Sequence, residues 1–415
     1  MKKVICLVLA CAMMLCCFAA CGSKSSGSET TAAAATTAAA ETTTAAASGD
    51  TTTAAASGAA STASGTFKLG GTGPLTGPAA IYGNAAKQGA EIAVQEINAM
   101  GGIQFDLKYE DDTHDAEKAV NAYNALKDWG MQISLGSVTS KPCEATAAKT
   151  FADRVFALTP SASSTAVTDG KDNMFQMCFA DPNQGSASAQ YIFDQKLGTK
   201  IAVIYKNDDV YSSGIYDTFK TQAEKLGLQI VSATTFADGN DTDFNVQLSE
   251  AKKAGADLLF LPMYYTPASL ILAQAKAMSY APKFFGVDGM DGILTMEGFD
   301  KSLAEGVMLL TPFNADATDE KTVNFVKKYK DAYGDVPNQF AADGYDCVYA
   351  YKQALEAAGA TGDMDAKTLC DLMIKQFTTM KFDGLTGAGM TWDKTGAVSK
   401  SPKGMVIKNG TYAGM

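Results

Sequence analysis

The stretch Thr72-Gly73-Pro74-Leu75-Thr76-Gly77-Pro78-Ala79-Ala80-Ile81-Tyr82-Gly83 decides the fold. It joins a short apolar strand at 67–71, closed by Gly70-Gly71, to a helix whose apolar positions recur at helical spacing from Asn84 onward. Pro74 and Pro78 remove backbone donors and fix φ between the two. Ala86, Gly89, Ala93, Ile97 and Met100 then form one narrow face, and Gly101-Gly102 stops the helix. A strand that enters a helix through such a turn leaves backbone N–H groups free at the helix start, where an anionic or polar small molecule can dock.

Upstream of this corner the chain changes character. Residues 1–20 read as an export signal: Lys2 and Lys3, an apolar run at 4–17, and Ala19-Ala20 before Cys21. Phe18-Ala19-Ala20-Cys21-Gly22 resembles the lipobox of bacterial lipoproteins, with phenylalanine where leucine is usual, which implies cleavage before Cys21 and a lipid on its sulfur. Residues 22–65 are almost wholly Ala, Ser, Thr and Gly, a composition that cannot bury enough apolar surface to order itself. Within them Thr42-Thr43-Thr44-Ala45-Ala46-Ala47-Ser48-Gly49 recurs nine residues on, as expected of a slipped tether. Such a tether reaches on the order of 35–40 Å. The formal charge of −11 becomes −13 once Lys2 and Lys3 are removed, and with no basic stripe nucleic acid is excluded as a partner.

Folding falls to residues 66–415, about twice an ordinary domain, which implies two lobes. Short apolar runs at 105–110, 132–136, 155–158, 201–205, 230–235, 257–262, 283–287 and 307–311 read as strands. Helical patterns lie between them, near 115–129, 142–153, 184–197, 212–227, 243–255 and 267–279. Repeated strand–helix units give an α/β fold of parallel sheets covered on both faces, with ligands outside the carboxyl ends of the strands. The loops 72–83, 137–142, 159–164 and 207–214 leave those ends. After Pro312 three helices (319–333, 341–358, 365–379) and a strand-like tail suggest a chain that crosses between lobes more than once.

Catalytic chemistry finds little support. His114 is the only histidine and has no nucleophile arranged beside it, so it reads as a helix-start residue. Gly71-Thr72-Gly73-Pro74-Leu75-Thr76-Gly77 misses the dinucleotide pattern by one position, and the Asp238-Gly239-Asn240-Asp241-Thr242-Asp243 run lacks a carboxylate at its twelfth position, Ser249. No cofactor and no metal are expected. Cys143, Cys178, Cys347 and Cys370 match no metal spacing, and their pairing is left open.

Seven stretches in order along 66–415 resemble the periplasmic binding proteins for leucine, isoleucine and valine. They are Gly73-Pro74-Leu75-Thr76-Gly77-Pro78 through Tyr82-Gly83; Glu96-Ile97-Asn98 with Gly101-Gly102-Ile103; Tyr109-Glu110-Asp111-Asp112; Thr159-Pro160-Ser161-Ala162-Ser163; Asp243-Phe244; Gly286-Val287-Asp288-Gly289; and Phe340-Ala341-Ala342 with Gly344-Tyr345-Asp346. The resemblance implies a type I fold with two Rossmann-like lobes, 66–181 plus 314–385 and 182–313 plus 386–415, joined by a multi-strand hinge. It implies that Ser140, Ser161 and Ser163 hold a ligand carboxylate, each also suited to capping a helix. Asp288 would meet the ammonium, with Asp291 as a neighbouring substitute and a plain turn residue as the alternative. Tyr82, Tyr211, Tyr265 and Phe340 would wall the side chain, Tyr264 being able to trade places with Tyr265. Asp208, Asp209 or Asp343, if turned inward, would favour a basic or hydroxylated ligand.

The implied function is that of a non-enzymatic, monomeric receptor that captures an apolar amino acid and passes it to the permease subunits of an ABC importer in the membrane. A sensor of the same fold for amides or polar or basic amino acids, signalling through a separate membrane partner, is the alternative.

Overall fold

The computed structural model describes residues 63–415. The expected export signal, the Cys21 anchor and the tether through residue 62 lie outside them. The first sheet is built from β1 (Gly65–Gly73), β2 (Ile103–Asp111), β3 (Ile133–Ser137), β4 (Phe156–Thr159) and β5 (Met174–Gln176), in the order β2-β1-β3-β4-β5. All its pairings are parallel. Helices α1 (Ala80–Met100), α2 (Ala116–Trp129), α3 (Ser140–Asp153) and the single turn α4 (Thr165–Thr168) connect these strands. Phe67, Leu69, Ile133, Phe156 and Leu158 are completely buried, as expected when helices cover both faces of a parallel sheet.

α5 (Asp181–Asp194) leads into the second sheet, which repeats the plan. Its strands β6 (Lys200–Lys206), β7 (Gln229–Phe236), β8 (Leu258–Leu261), β9 (Lys283–Gly286) and β10 (Met308–Thr311) alternate with α6 (Val210–Leu226), α7 (Asn245–Lys253) and α8 (Tyr265–Ala277). The chain then returns to the first sheet through α9 (Glu320–Tyr333), α10 (Gln339–Ala358) and α11 (Ala366–Phe377). There the Tyr351 hydroxyl donates to the Ser134 carbonyl of β3, and the Phe377 ring packs on Phe156 and Phe175. Finally β11 (Lys403–Lys408) and β12 (Thr411–Gly414) close the second sheet as antiparallel edge strands, giving the order β12-β11-β10-β9-β8-β6-β7. Among the described residues the chain therefore passes between the sheets three times. In each sheet the winding reverses beside its first strand, between β1 and β3 and between β6 and β8, and the crevice at such a reversal is where open α/β sheets take ligands.

Two contacts fix how α10 serves the first sheet. A Cβ on Gly89 would lie 1.8 Å from the Ala341 carbonyl oxygen, and one on Gly344 would lie 2.2 Å from that of Ala86, so α1 and α10 meet backbone to backbone. The second is an ion pair. Lys400 Nζ reaches Asp343 Oδ1 at 2.7 Å and Thr386 Oγ1 at 2.7 Å, with both charged side chains all but sealed from solvent. Burial pushes the Asp343 carboxyl up to about 7, with Lys400 pulling against it. Asp343 is thus committed to Lys400 and does not turn into the crevice.

The structure departs from the sequence reading in several places. Order begins by Ala63, not Thr66, because the Ser64 N–H donates to the Ala360 carbonyl and its own carbonyl accepts from the Gly362 N–H, main-chain pairing that side chains do not announce. Met100 is 60 % exposed, since α1 ends past the edge of its packing face. β5 and α4, at three and four residues, are too short for periodicity to register. All four cysteines in the described residues are free and buried.

Gly89→Ala or Gly344→Ala should destabilise the fold by about 1–3 kcal/mol by overpacking, against a helix-propensity gain of about 1 kcal/mol, as read by urea unfolding. Lys400→Met alone should cost about 3–5 kcal/mol by leaving a buried carboxylate unpaired, and adding Asp343→Leu should restore much of it in the same measurement.

Candidate ligand site between the two sheets

Every strand end at the two reversals delivers a residue to one pocket. Tyr82 comes from the first turn of α1, and Val138, Thr139 and Ser140 come from the end of β3 and the start of α3. Ser161 follows β4, Tyr211 opens α6, Tyr264 follows β8, Asp288 and Gly289 follow β9, and Phe340 opens α10. The free space among them is about 10 Å³, near the minimum of about 10–15 Å³ that admits one water.

The aromatic walls are locked to one another. Tyr211 and Tyr264 stack with parallel rings 4.7 Å apart, and Tyr82 meets Phe340 at 4.6 Å and Tyr264 at 5.4 Å. The Tyr82 hydroxyl donates across to the Gly289 carbonyl and accepts from the Tyr265 N–H at 3.0 Å. Because it is buried, this phenol would be left with an unpaired polar group if either partner moved.

The polar groups divide by sign. Asp288 opens a short 3₁₀ turn and is buried; its Oδ1 accepts from the Tyr211 hydroxyl at 2.7 Å, and its N–H donates to Gln184 Oε1 at 3.3 Å. Burial raises its carboxyl to about 6, while Tyr211 and Gln184 pull it back. Across from it α3 begins at Thr139, whose side chain makes no capping hydrogen bond, so the positive end of that helix faces the pocket. Ser140 Oγ there accepts from the Ser164 N–H at 3.2 Å.

Six of the eight residues singled out in the sequence, Tyr82, Ser140, Ser161, Tyr211, Asp288 and Phe340, line this pocket. Tyr265 does not. It is the first residue of α8 and packs edge-on behind Tyr82 at 4.9 Å, while Tyr264, one position earlier with extended backbone, turns its ring inward. Ser163 lies outside the lining as well, beside the Asp181 carboxyl, whose pKa burial pushes up and this hydroxyl pulls back. Asp291 accepts from the Gln339 N–H and borders a separate cavity of about 280 Å³ with Phe313 and Tyr412. Asp209 is buried as the cap of α6, accepting from the Tyr211 N–H, and Asp208 accepts from the Asp238 N–H.

The opening corner holds an anion of its own. Asp111 accepts from the Leu75 N–H at 2.8 Å and the Thr76 hydroxyl at 2.6 Å, so these two donors of the corner are spent within the fold, and of its residues only Tyr82 lines the pocket. Gln184 escaped the sequence reading, which makes His114 a helix-start residue and no more. Asp115, not His114, caps α2. The only histidine sits just before it with φ 63°, its Nδ1 2.8 Å from Thr139 Oγ1 and its ring edge-to-face with Tyr264 at 5.4 Å.

A family model described as periplasmic binding protein matches residues 66–410. The chain belongs to the periplasmic binding protein family. Among curated relatives of this periplasmic binding protein, a Leu/Ile/Val-binding protein homolog of Brucella melitensis is 28 % identical over 310 residues, covering 74 % of this chain and 83 % of the relative. A leucine-, isoleucine-, valine-, threonine- and alanine-binding protein of Pseudomonas aeruginosa is 28 % identical over 303 residues, covering 72 % and 80 %. Among solved structures, the leucine-binding protein LivK of Thermotoga maritima superposes with a TM-score of 0.75 at 26 % identity, covering 84 % of this chain and 97 % of that one. LivJ of Streptococcus pneumoniae, solved with isoleucine, gives 0.75 at 27 % identity, covering 84 % and 98 %. The two sheets are those of the type I periplasmic binding protein fold.

A Cβ on Gly289 would fall 2.4 Å from the Tyr211 hydroxyl and 3.0 Å from the Met263 carbonyl oxygen. Gly289→Ala should therefore drive Tyr211 off Asp288 and cost this periplasmic binding protein about 1–3 kcal/mol in denaturant unfolding.

Proposed function

We propose that this protein is the extracytoplasmic receptor of an ABC importer and captures a branched-chain or similar apolar amino acid between its two lobes. The observation that carries this reading is the pocket's division of charge: a buried carboxylate, Asp288, stands opposite the uncapped start of α3, with four aromatic rings between. That arrangement complements a zwitterion with an apolar body. The names of the curated relatives and the isoleucine bound to the pneumococcal neighbour support the same ligand class.

In this reading the α-carboxylate takes hydrogen bonds from the first turn of α3 and from Ser140 and Ser161, neutral donors that satisfy an anion without a paired cation. The α-ammonium pairs with Asp288. Tyr82, Tyr211, Tyr264 and Phe340 enclose the side chain, burying apolar area at little rotamer cost. With about 10 Å³ free, the lobes must part to admit an amino acid and then close on it, a population shift driven by contacts with both lobes at once. The closed form is what the permease receives. The lobes are assigned as 66–181 with 314–385 and 182–313 with 386–415, and a lipid on Cys21 holds the monomer at the membrane through its tether.

Thermal unfolding in the presence of leucine, isoleucine or valine at 100 times the dissociation constant should report about 2.7 kcal/mol of stabilisation; no shift with any free amino acid would reject the reading. Asp288→Ala should abolish that binding in calorimetry without unfolding the protein, and an unchanged affinity would reject the ammonium assignment. Tyr264→Ala should weaken binding tenfold or more, Tyr265→Ala less, since the Tyr265 bond to Tyr82 uses its main chain. The pH dependence follows from Asp288. The bound ammonium favours the ionised carboxylate, so affinity is full above about 6 and falls as the pH drops below it.

A further inference from the structure

His114 is held from one side of the cleft and covered from the other. On the first-sheet side its N–H donates to Asp112 Oδ1 at 2.9 Å, and its Nδ1 lies 2.8 Å from Oγ1 of Thr139, the residue that opens α3 into the pocket. On the second-sheet side it meets the Tyr264 ring at 5.4 Å and 88°, and that ring in turn stacks on Tyr211, which bonds to Asp288. One imidazole therefore touches both the helix start proposed to hold the carboxylate and the aromatic wall, bridging the two sides of the cleft.

We propose that His114 is a positioning residue that ties closure of the cleft to the protonation state of a single imidazole: closure is favoured while the ring is neutral and opposed once it carries a proton. This regulation rests on the receptor reading above. The charged groups facing the ring are balanced, with Lys141 of α3 and Lys206 of β6 against Asp209 of the α6 cap and Asp238 of the loop after β7. Asp112, beside it on the first-sheet side, is itself raised to about 7 by burial and contributes little negative charge below that pH. Desolvation is thus left to decide, and it pushes the imidazole pKa down. Parting the lobes removes Tyr264 and the second-sheet groups and returns the ring to water. By linkage, whatever closes the cleft lowers the His114 pKa, and acidification opens the cleft by the same free energy.

Because the chain has one histidine, its imidazole can be titrated directly by NMR in the full protein. Thr266 Oγ1 donates to the Pro78 carbonyl across the cleft at 2.9 Å, so Pro78→Cys with Thr266→Cys offers a lock that needs no ligand. The oxidised, locked form should show a His114 pKa lower than the reduced form by half a unit or more; equal values would overturn the inference. Saturating L-isoleucine should shift the wild-type ring the same way. A shift on locking with none on adding isoleucine would keep this inference and reject the amino-acid reading. Between pH 7 and 5 the isoleucine affinity of wild type should fall at least threefold further than that of His114→Gln, which can still bond Thr139 but cannot take up the proton; Asp288 titrates in both and cancels. Parallel profiles would also overturn it.

Discussion

The arrangement of the cleft depends on one phenol. Tyr82 rises from the first turn of α1 and places its hydroxyl between two main-chain groups of the other lobe, the Gly289 carbonyl and the Tyr265 N–H. Since both partners are backbone, the bond specifies where two loops of the second sheet sit rather than which side chains they carry. Its ring then serves as the floor against which Phe340, Tyr264 and Tyr265 pack. A buried hydroxyl with one partner missing costs about 1–3 kcal/mol, so an arrangement that kept only one of the two bonds would be disfavoured.

Charge gives the proposed receptor a reason to take a cationic group at this site. Asp181, Asp209 and Asp288 are all buried near the pocket, and each of the other two carboxylates raises the Asp181 pKa beyond what burial does alone. Asp209 spends its charge on the first turn of α6. Asp288 is satisfied only by a neutral phenol, an amide-bearing partner and its own turn, all of which leave its negative charge uncompensated. An ammonium placed beside it would relieve that cost, whereas a second anion would add to it.

How much of this was legible follows from where each signal resides. The loops that leave strand carboxyl ends could be located because apolar runs and helical spacing repeat through the chain, and that placed Ser140, Ser161 and Tyr211 on the pocket's side of the fold, while Asp288 came from the family resemblance alone. Adjacent tyrosines could not be told apart. Tyr264 has extended backbone and Tyr265 is helical, and a one-residue shift in where α8 begins exchanges which ring faces inward. The donors of the opening corner looked free because Asp111, which takes them, lies on the neighbouring strand. Beyond its place at a helix start, the contacts of His114 were unreadable for the same reason. Its partners Thr139 and Tyr264 come from the turns after β3 and β8, and nothing local to Asp111-Asp112-Thr113-His114 announces either.

The three crossings between the sheets are where the proposed closure would bend. Each of the three crossings is pinned close to its ends. Near the first, the Gln176 carbonyl accepts from Trp392 Nε1, and the Asp181 N–H donates back to the Ser163 carbonyl. At the second, Thr311 Oγ1 bonds to Gln339 at the start of α10. At the third, Lys400 is tied to Asp343 of α10, while β11 begins only three residues later at Lys403. What remains free to change φ and ψ is therefore a few residues per crossing. Short anchored segments of this kind suit hinge bending, the motion that the proposed capture between two lobes requires. That is the physical condition under which a phenol on one lobe can find a specific carbonyl on the other at every closure.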